Sequence, residues 1–375
     1  MRPFVATLGC LVAAMLSLQS LAASDAYISS PDDGLISHYR LDEKTGALKL
    51  LGQTQAGPQV SPLALSPDGN TLYAALRSKP YEVKTFHVDR NSGALTATGE
   101  APLADSLAYL ATDRSGRWLL GASYGGDLLS TQALGANGQP GSDIRVVATG
   151  PHAHSIRTDP SNRFAYAGNL GNDHVLQYRF ADGVLTPIGQ GIFQLPAGSG
   201  PRHLAFSPDG RFVYFVGEMS GTVTAFAIDQ TSGALSETQS VSGIPASLQL
   251  AHGLVRDAST HNLEGDPTRR IWAADLRLSP DGRLLVMSER TSSSISAFRV
   301  DPANGHLMFL GNRPVKEQQP RALAFSPDGH WLLVTGEKSA TVGSYAIDDA
   351  GVLRRVAQAP SGKGALWIEI ARAKR

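Results

Sequence analysis

The stretch Gly200-Pro-Arg-His-Leu-Ala-Phe-Ser-Pro-Asp-Gly-Arg-Phe-Val-Tyr-Phe-Val-Gly-Glu218 decides the fold of this 375-residue chain. Two short runs rich in Phe, Val and Tyr flank the turn sequence Ser-Pro-Asp-Gly at 207–210. Pro at the second position of a turn presets φ, and Gly at the fourth tolerates positive φ. The stretch therefore predicts a β-hairpin, with Arg202 and Glu218 at its open end, away from the turn.

The same hairpin recurs along the chain at a nearly constant spacing. Ser-Pro-Asp-Gly stands at 66–69, 207–210, 279–282 and 326–329, and degraded copies stand at 113–116 and 159–162. The first residues of successive copies are 47, 46, 48, 72 and 47 residues apart. Gly-Ala-Leu, or a close variant, ends a later hairpin of several repeats. A period in the forties with about four short strands per unit is typical of a propeller blade.

The two ends of the chain supply the parts of one further blade. The segment 362–371 offers an inner strand with no turn or second strand after it. The segment 26–30 begins like the strand that follows a turn, and 44–48 carries the later hairpin marker. Sharing one blade between the two ends removes free sheet edges. The sequence thus predicts an all-β fold: a seven-bladed β-propeller with four-stranded antiparallel blades, whose last blade is closed by N- and C-terminal strands.

The first 23 residues have the pattern of an export signal. Arg2 gives a positive start, residues 4–18 are apolar, and residues 20–24 offer small side chains for cleavage. The apolar stretch is short for a membrane span of ~20 residues. We therefore expect a signal peptide over 1–23 and a single propeller domain over 24–375, in the periplasm and with no membrane attachment after cleavage.

Composition excludes several classes of protein. The chain carries 33 basic and 33 acidic residues, without a basic stripe, which argues against a nucleic-acid partner. The single cysteine, Cys10, lies in the predicted signal, so the mature protein would have neither disulfides nor a catalytic thiol. The one Gly-x-Ser-x-Gly match, at 121–125, lies in a segment predicted as β-strand with no helix after it, so it lacks the strand-to-helix turn that exposes a covalent serine nucleophile. We expect a monomer or dimer.

One interval between hairpins is longer than the others, because it holds an insertion at about 243–270. The insertion is rich in charged residues and histidine: His252, Arg256, Asp257, His261, Asp266, Arg269 and Arg270. It joins the last strand of one blade to the inner strand of the next, on the face of the open hairpin ends. A lid over the central channel and a tolerated surface insertion both fit this position.

Charged side chains recur at two aligned places near the open ends of the hairpins. Five residues before each turn the repeats carry Ser61, Ala108, His154, Arg202, Ala274 and Arg321, with Leu366 in the last. The second strands end on Arg77, Tyr124, Leu170, Glu218, Arg290 and Glu337. Buried charges cost several kcal/mol each unless they are paired. These charged side chains, which would face one channel, indicate a site for an anionic or oxyanion-forming ligand, since arginine binds such groups bidentately. Simple ion pairing in a wet channel is the alternative.

The same residues carry a resemblance to a known family. The matching motifs are Gly121-Ala-Ser-Tyr124, His154-Ser155, Gly200-Pro-Arg-His203, Glu218, Trp272-Ala-Ala-Asp-Leu276, Glu289-Arg290-Thr291, Gln319-Pro-Arg321 and Gly364-x-x-Trp367. In this order the chain resembles the seven-bladed propeller lactonases of the 6-phosphogluconolactonase type, which are also similar to fungal carboxymuconate lactonising enzymes. The resemblance implies a catalytic group of His154, Arg202, Glu218 and Arg290. Six further residues would bind substrate: Tyr124, His203, Asp275, Arg321, Arg77 and Glu337.

The activity implied is hydrolysis of a sugar lactone without a cofactor. Phosphorylated sugars are cytoplasmic metabolites, so an exported enzyme suggests an aldonolactone such as glucono-1,5-lactone. Arg202 and Arg290 would stabilise the oxyanion, and either His154 or Glu218 would be the general base. His152 beside His154 raises the possibility of a metal, but no third ligand stands at metal-like spacing, so we expect none. The alternatives are a 6-phosphogluconolactonase, a muconate-type cycloisomerase and a non-catalytic ligand-binding propeller.

Overall fold

The computed structural model describes residues 23–256 and 266–372, whose strands form seven four-stranded sheets. The chain begins with β1 (Ala23–Ser30), β2 (Leu35–Asp42) and β3 (Leu48–Gln55). Blade 1 follows as β4 (Val60–Leu65), β5 (Thr71–Leu76), β6 (Glu82–Val88) and β7 (Leu95–Pro102). Blade 2 contains β8 (Leu107–Thr112), β9 (Trp118–Ser123), β10 (Leu128–Leu134) and β11 (Pro140–Ala148). Blade 3 contains β12 (Ala153–Thr158), β13 (Phe164–Asn169), β14 (His174–Ala181) and β15 (Val184–Gln194).

The second half of the chain continues the pattern. Blade 4 contains β16 (Pro201–Phe206), β17 (Phe212–Gly217), β18 (Thr222–Ile228) and β19 (Leu235–Ser242). Blade 5 contains β20 (Ala273–Leu278), β21 (Leu284–Glu289), β22 (Ser294–Val300) and β23 (Leu307–Pro314). Blade 6 contains β24 (Pro320–Phe325), β25 (Trp331–Gly336), β26 (Thr341–Ile347) and β27 (Leu353–Pro360), and β28 spans Trp367–Arg372. Two short 3₁₀ helices cover Leu170–Asn172 and Ala246–Leu248.

Blade 7 joins the two ends of the chain, as the sequence predicts. Its strand order is β28-β1-β2-β3, and β1 pairs antiparallel with β28 from Ser24 opposite Arg372 to Ser29 opposite Trp367. The predicted all-β, seven-bladed architecture and its closure by both ends are therefore confirmed. Residues 1–22, which include Cys10, lie outside the described part of the chain. The signal peptide over 1–23 therefore stays a prediction. Within the described residues, no helix has the length and hydrophobicity needed to cross a membrane.

In blades 1 to 6, the turns between the first two strands share one hydrogen-bond design. In blade 4, Ser207 Oγ donates to Asp209 over 2.7 Å and accepts from the Phe212 N–H over 2.9 Å. Gly210 follows at φ 71°, a value that Gly adopts at little cost. In the degraded copy of blade 2 the two polar residues are exchanged: the Asp113 carboxylate accepts the Trp118 N–H over 2.8 Å and binds the following Ser hydroxyl. The exchange explains why the altered sequence forms the same turn.

The Gly-Ala-Leu marker has a packing role between blades. Gly233 lies at φ 81° against the ring of Phe164 in the preceding blade, where a Cβ would stand 2.3 Å from a ring carbon. Its carbonyl accepts the Tyr166 hydroxyl over 2.7 Å. Tyr27 makes the same bond to Gly93 over 2.8 Å. Each outer hairpin thus docks onto the second strand of its neighbour, and the core lies between blades.

Candidate active site

The inner strands β4, β8, β12, β16, β20, β24 and β28 contact one another around a central channel. In each of the six intact hairpins, the register with the second strand shifts at the start of the inner strand. Such bulges re-aim side chains and are common next to active sites. The irregular backbone falls at the aligned positions that carry His154, Arg202 and Arg321. These histidine and arginine side chains therefore lie at the channel mouth opposite the turns.

Glu218 is the centre of a buried ionic cluster at this mouth. Its Oε2 accepts from Arg202 Nε over 2.7 Å and from Arg290 Nη2 over 2.8 Å. Its Oε1 accepts from the Trp272 indole Nε1 over 3.2 Å. Arg202 and Arg290 are each 2 % exposed. Blades 4 and 5 thus share one carboxylate between two guanidinium groups.

The electrostatics of the cluster favour an ionised Glu218 and a surplus positive charge. Burial raises the pKa of this carboxyl, but Arg290, Arg202 and Arg321 together outweigh it, so the pKa lies below its usual value. A buried carboxylate that neutralises only one of two adjacent cations leaves an uncompensated charge, which is costly in a protein interior. An anionic ligand or a developing oxyanion would compensate it.

His154 lies beside this cluster as a neutral base. It is 6 % exposed, and its ring packs edge-to-face against Tyr124 and His203 at centroid distances of 5.6 and 5.3 Å. Burial, followed by the charge of Arg202, lowers the pKa of its imidazole well below 6.5. Its Nδ1 is buried and has no hydrogen-bond partner among the described residues. The imidazole is therefore unprotonated at neutral pH and is not committed to holding the fold.

His203 and Asp275, two of the residues expected to bind substrate, are held by protein partners. His203 Nδ1 is 2.8 Å from Asp275 Oδ1, and its Nε2 is 3.1 Å from Arg202 Nη1. Asp275 Oδ2 accepts from Arg277 Nε and from the Leu323 N–H, over 3.1 and 2.8 Å. Both carboxylate oxygens are thus occupied by protein donors, and direct contact of Asp275 with substrate does not fit this placement.

The remaining predicted binding residues lie around the rim of the mouth. Arg321 Nη1 reaches both carboxylate oxygens of Glu337, at 3.2 and 3.3 Å. Arg321 is also close enough to lower, through its charge, the pKa of His154, of Arg202 and of Arg77. Burial is the larger cause of the shift in each of these three groups. The rim thus holds two arginines, Arg77 and Arg321, of which Arg321 is paired with Glu337.

His152 supports Tyr124 from outside the channel. The two rings stack at a centroid distance of 4.2 Å, and His152 Nδ1 is 3.0 Å from the Tyr124 carbonyl oxygen. No group of three or more His, Cys, Asp or Glu side chains suited to a metal occurs within 23–256 or 266–372. The geometry gives His152 a packing contact with Tyr124.

The insertion reaches over the mouth and contributes residues that the sequence analysis does not assign to the site. The Arg256 and Arg290 guanidinium carbons lie 3.5 and 3.7 Å from the centre of the Trp272 ring. The Tyr124 hydroxyl donates to the Arg256 carbonyl over 2.8 Å, which connects the insertion with blade 2. Trp272 stands in a motif shared with the family, and that was the available signal for it. Asp257 and His261 lie outside the described residues.

Comparisons with known proteins agree with this arrangement. Residues 25–370 match a family model described as lactonase, 7-bladed beta-propeller. A 6-phosphogluconolactonase of Pectobacterium carotovorum is 33% identical over 346 residues, 92% of this chain and 97% of that protein. The relative from Serratia proteamaculans with the same name is also 33% identical, over 92% and 98%. The structure of a periplasmic gluconolactonase of Pseudomonas aeruginosa is 27% identical with a TM-score of 0.80, and covers 94% of this chain and 100% of that one.

Proposed function

Because the chain belongs to the seven-bladed β-propeller lactonase family and is a lactone hydrolase, we propose that it hydrolyses an unphosphorylated aldonolactone, such as glucono-1,5-lactone, in the periplasm. The observation that carries the proposal is the buried Arg202–Glu218–Arg290 cluster with neutral His154 beside it. The periplasmic gluconolactonase from P. aeruginosa supports the substrate class and the compartment. The signal-like pattern at 1–23 supports export.

In the proposed mechanism, His154 is the general base and the two arginines bind the lactone oxygens. Water attacks the carbonyl carbon while His154 accepts its proton. Arg202 and Arg290 stabilise the oxyanion of the tetrahedral intermediate, a contribution of about 3 kcal/mol for one well-placed donor. The ring C–O bond then breaks, and the imidazolium returns the proton to the leaving oxygen. The product is an open-chain hydroxy acid.

Glu218 fits a different role, that of a clamp for the arginines. Arg290 and Arg202 hold the pKa of its carboxyl low against the effect of burial. Both of its oxygens already accept hydrogen bonds from protein donors. A carboxylate with a low pKa and occupied oxygens is a poor acceptor for a proton from water. It preorganises the two guanidinium groups instead, which is the property that oxyanion stabilisation requires.

The second candidate is hydrolysis of a phosphorylated lactone. The relatives named 6-phosphogluconolactonase favour it, and so do the additional cations near the mouth, Arg256 and Arg321. An arginine-rich rim suits a phosphate group. The two candidates differ only in what the rim binds, because the buried cluster would act on the same lactone carbonyl.

A pH-stat assay separates the candidates. Acid release is measured from glucono-1,5-lactone and from 6-phosphoglucono-1,5-lactone, with spontaneous hydrolysis subtracted and an Arg290→Ala variant as control. We expect the higher kcat/KM with the unphosphorylated lactone. A higher value with the phosphorylated lactone would establish the second candidate. Acid release from neither would favour a non-catalytic propeller, whereas lactone formation from a muconate would favour a cycloisomerase.

A further inference from the structure

A second set of charged residues faces the channel at its other end. Three residues beyond the aligned positions of the active-site layer, the seven inner strands carry Ala64, Ala111, Arg157, Ala205, Arg277, Ala324 and Glu369. Four are alanines, which leave space, and three are charged. The same pattern of small side chains with a few charged ones marks the active-site end.

Five of these residues line a cavity of about 180 Å³ at the turn end of the channel: Ala64, Ala111, Arg157, Arg277 and Glu369. Its lining includes Arg157, Arg277, Glu369, Tyr109 and Trp367, with Arg114 at the rim. The rings of Tyr109, His203 and Trp367 contact one another across the channel at centroid distances of 5.1, 5.2 and 5.7 Å. This aromatic layer separates the cavity from the cluster around Glu218.

The two arginines of the cavity differ in their partners, because Arg277 is paired with Asp275 whereas Arg157 has no ion-pair partner among the described residues. The Arg157 side chain makes no hydrogen bond or ion pair with any residue of the described chain, although it is only partly exposed. Arg277 uses Nε, which donates to Asp275 and to the Leu323 carbonyl over 3.1 and 2.8 Å. Its two terminal nitrogens have no partner within 23–256 and 266–372. Guanidinium groups held in this way are suited to a carboxylate.

The opposite wall offers hydrogen-bonding groups for hydroxyls. Glu369 Oε1 accepts from the Trp367 indole over 2.9 Å, and the carboxyl forms no ion pair with Arg157 or Arg277 in the described structure. Burial raises the pKa of the Glu369 carboxyl against the opposing charge of Arg277, and Oε2 of this carboxyl has no hydrogen-bond partner among the described residues. The Tyr109 hydroxyl likewise has no partner among the described residues.

We propose that the turn-end mouth of the channel is a second ligand site, which binds a small polyhydroxylated carboxylate. Its carboxylate would pair with Arg157 and Arg277, its hydroxyls would bond to Glu369 and Tyr109, and its carbon chain would lie on the alanine walls. The choice of gluconate as probe rests on the proposed function, because lactone hydrolysis yields a hydroxy acid of this class. The site itself rests on the cavity, on Arg157 and on the terminal nitrogens of Arg277, which have no hydrogen-bond partner among the described residues.

Calorimetric titration of the full-length protein with sodium gluconate tests the proposal. We expect Arg157→Gln to weaken gluconate binding at this site at least tenfold and Ala111→Leu, which fills the cavity without changing charge, to abolish it. Arg290→Ala should retain the site, since it alters only the other end of the channel. Arg179→Gln, at an exposed arginine of an outer strand, is the matched control and should bind like wild type.

Several outcomes would overturn the proposal: no gluconate binding to any variant, binding lost in Arg290→Ala but kept in Arg157→Gln, or sulfate binding as tightly as gluconate. Lactone hydrolysis by the same proteins keeps the two proposals apart. Arg157→Gln and Ala111→Leu should hydrolyse lactone within twofold of wild type. Absence of hydrolysis in wild type would overturn the proposed function, while the Arg157-dependent binding of gluconate would still support the site.

Discussion

The inner hairpins of this propeller have two ends that behave differently. At the turn end, each Ser or Asp binds backbone groups of its own turn, and the sequence varies little from blade to blade. At the open end, the residues vary more between blades, and some of their partners come from a neighbouring blade, as Glu218 shows with Arg290. Local partners make the turns a repeated structural unit. Partners from other blades make the open ends a site, which exists only when the ring is closed.

Among the tests of this comparison, we expect the largest effect, a loss of activity, from a substitution of His154. Replacing His154 by Gln removes the proposed base, so kcat/KM for glucono-1,5-lactone should fall by roughly 10³-fold, within the range for general bases. The melting temperature should change little, because Nδ1 of this residue has no hydrogen-bond partner in the described structure. A variant with near-normal activity would remove His154 from the mechanism.

At a turn we expect the opposite result, a loss of stability without a loss of activity. Asp113 is 1 % exposed and accepts hydrogen bonds from the N–H groups of Arg117 and Trp118 and from Asn162 of the next blade. Asp113→Ala should lower the unfolding free energy by about 2 kcal/mol, since buried N–H groups lose a charged acceptor. Denaturant unfolding measures the loss, and Asp143→Ala on an exposed strand is the control. A large fall in activity of the folded variant would contradict the division between the two ends.

The third test concerns how the unfolding free energy depends on pH through His203, which lies next to Arg202. Burial, followed by Arg202, lowers the pKa of His203 to about 3 in the folded state. The unfolded chain, with a histidine pKa of about 6.5, then binds more protons between these values, so stability falls as the pH drops from 6.5 towards 3. His203→Asn should make the slope of unfolding free energy against pH shallower. His87→Asn, at an exposed position, should leave it unchanged; equal slopes in all three proteins would refute the assignment.

The smallest expected change is in the pH–rate profile of the wild type. Because burial and Arg202 keep the pKa of His154 well below 6.5, its base form persists as the solution is acidified. The value of kcat/KM should therefore be nearly constant between pH 7.5 and about 6, after correction for spontaneous hydrolysis. An inflection close to pH 6.5 would indicate an exposed imidazole and contradict the buried site.

The fold was predictable because its determinants are local. A turn such as 207–210 specifies its own geometry, and counting from turn to turn locates the blades and the shared blade 7. The same count brings His154 and Arg202 on inner strands, and Arg290 at the end of a second strand, to one mouth, because the hairpins are of similar length.

Counting residues from turn to turn could not predict which side chains of different blades form hydrogen bonds with each other. Asp275 has the right position for substrate, yet His203 and Arg277 occupy its oxygens. The contact of Arg256 with Trp272 depends on the path of the insertion, which no repeat specifies. The same alignment of the repeats could have identified three further residues, which lie three positions further along their inner strands: Arg157, Arg277 and Glu369.

The most direct test of the central claim is Arg290→Ala, followed by acid release from glucono-1,5-lactone and by thermal unfolding in the same preparation. Glu218 keeps Arg202 as its partner in this variant, whereas the Trp272 and Ala273 carbonyls lose the hydrogen bonds from Arg290, so the protein should fold with a lowered melting temperature. We expect kcat/KM of the folded variant to fall at least about 10²-fold, which is typical for removal of one oxyanion donor. A destabilised variant whose remaining folded fraction hydrolyses lactone at the normal rate would contradict the central claim.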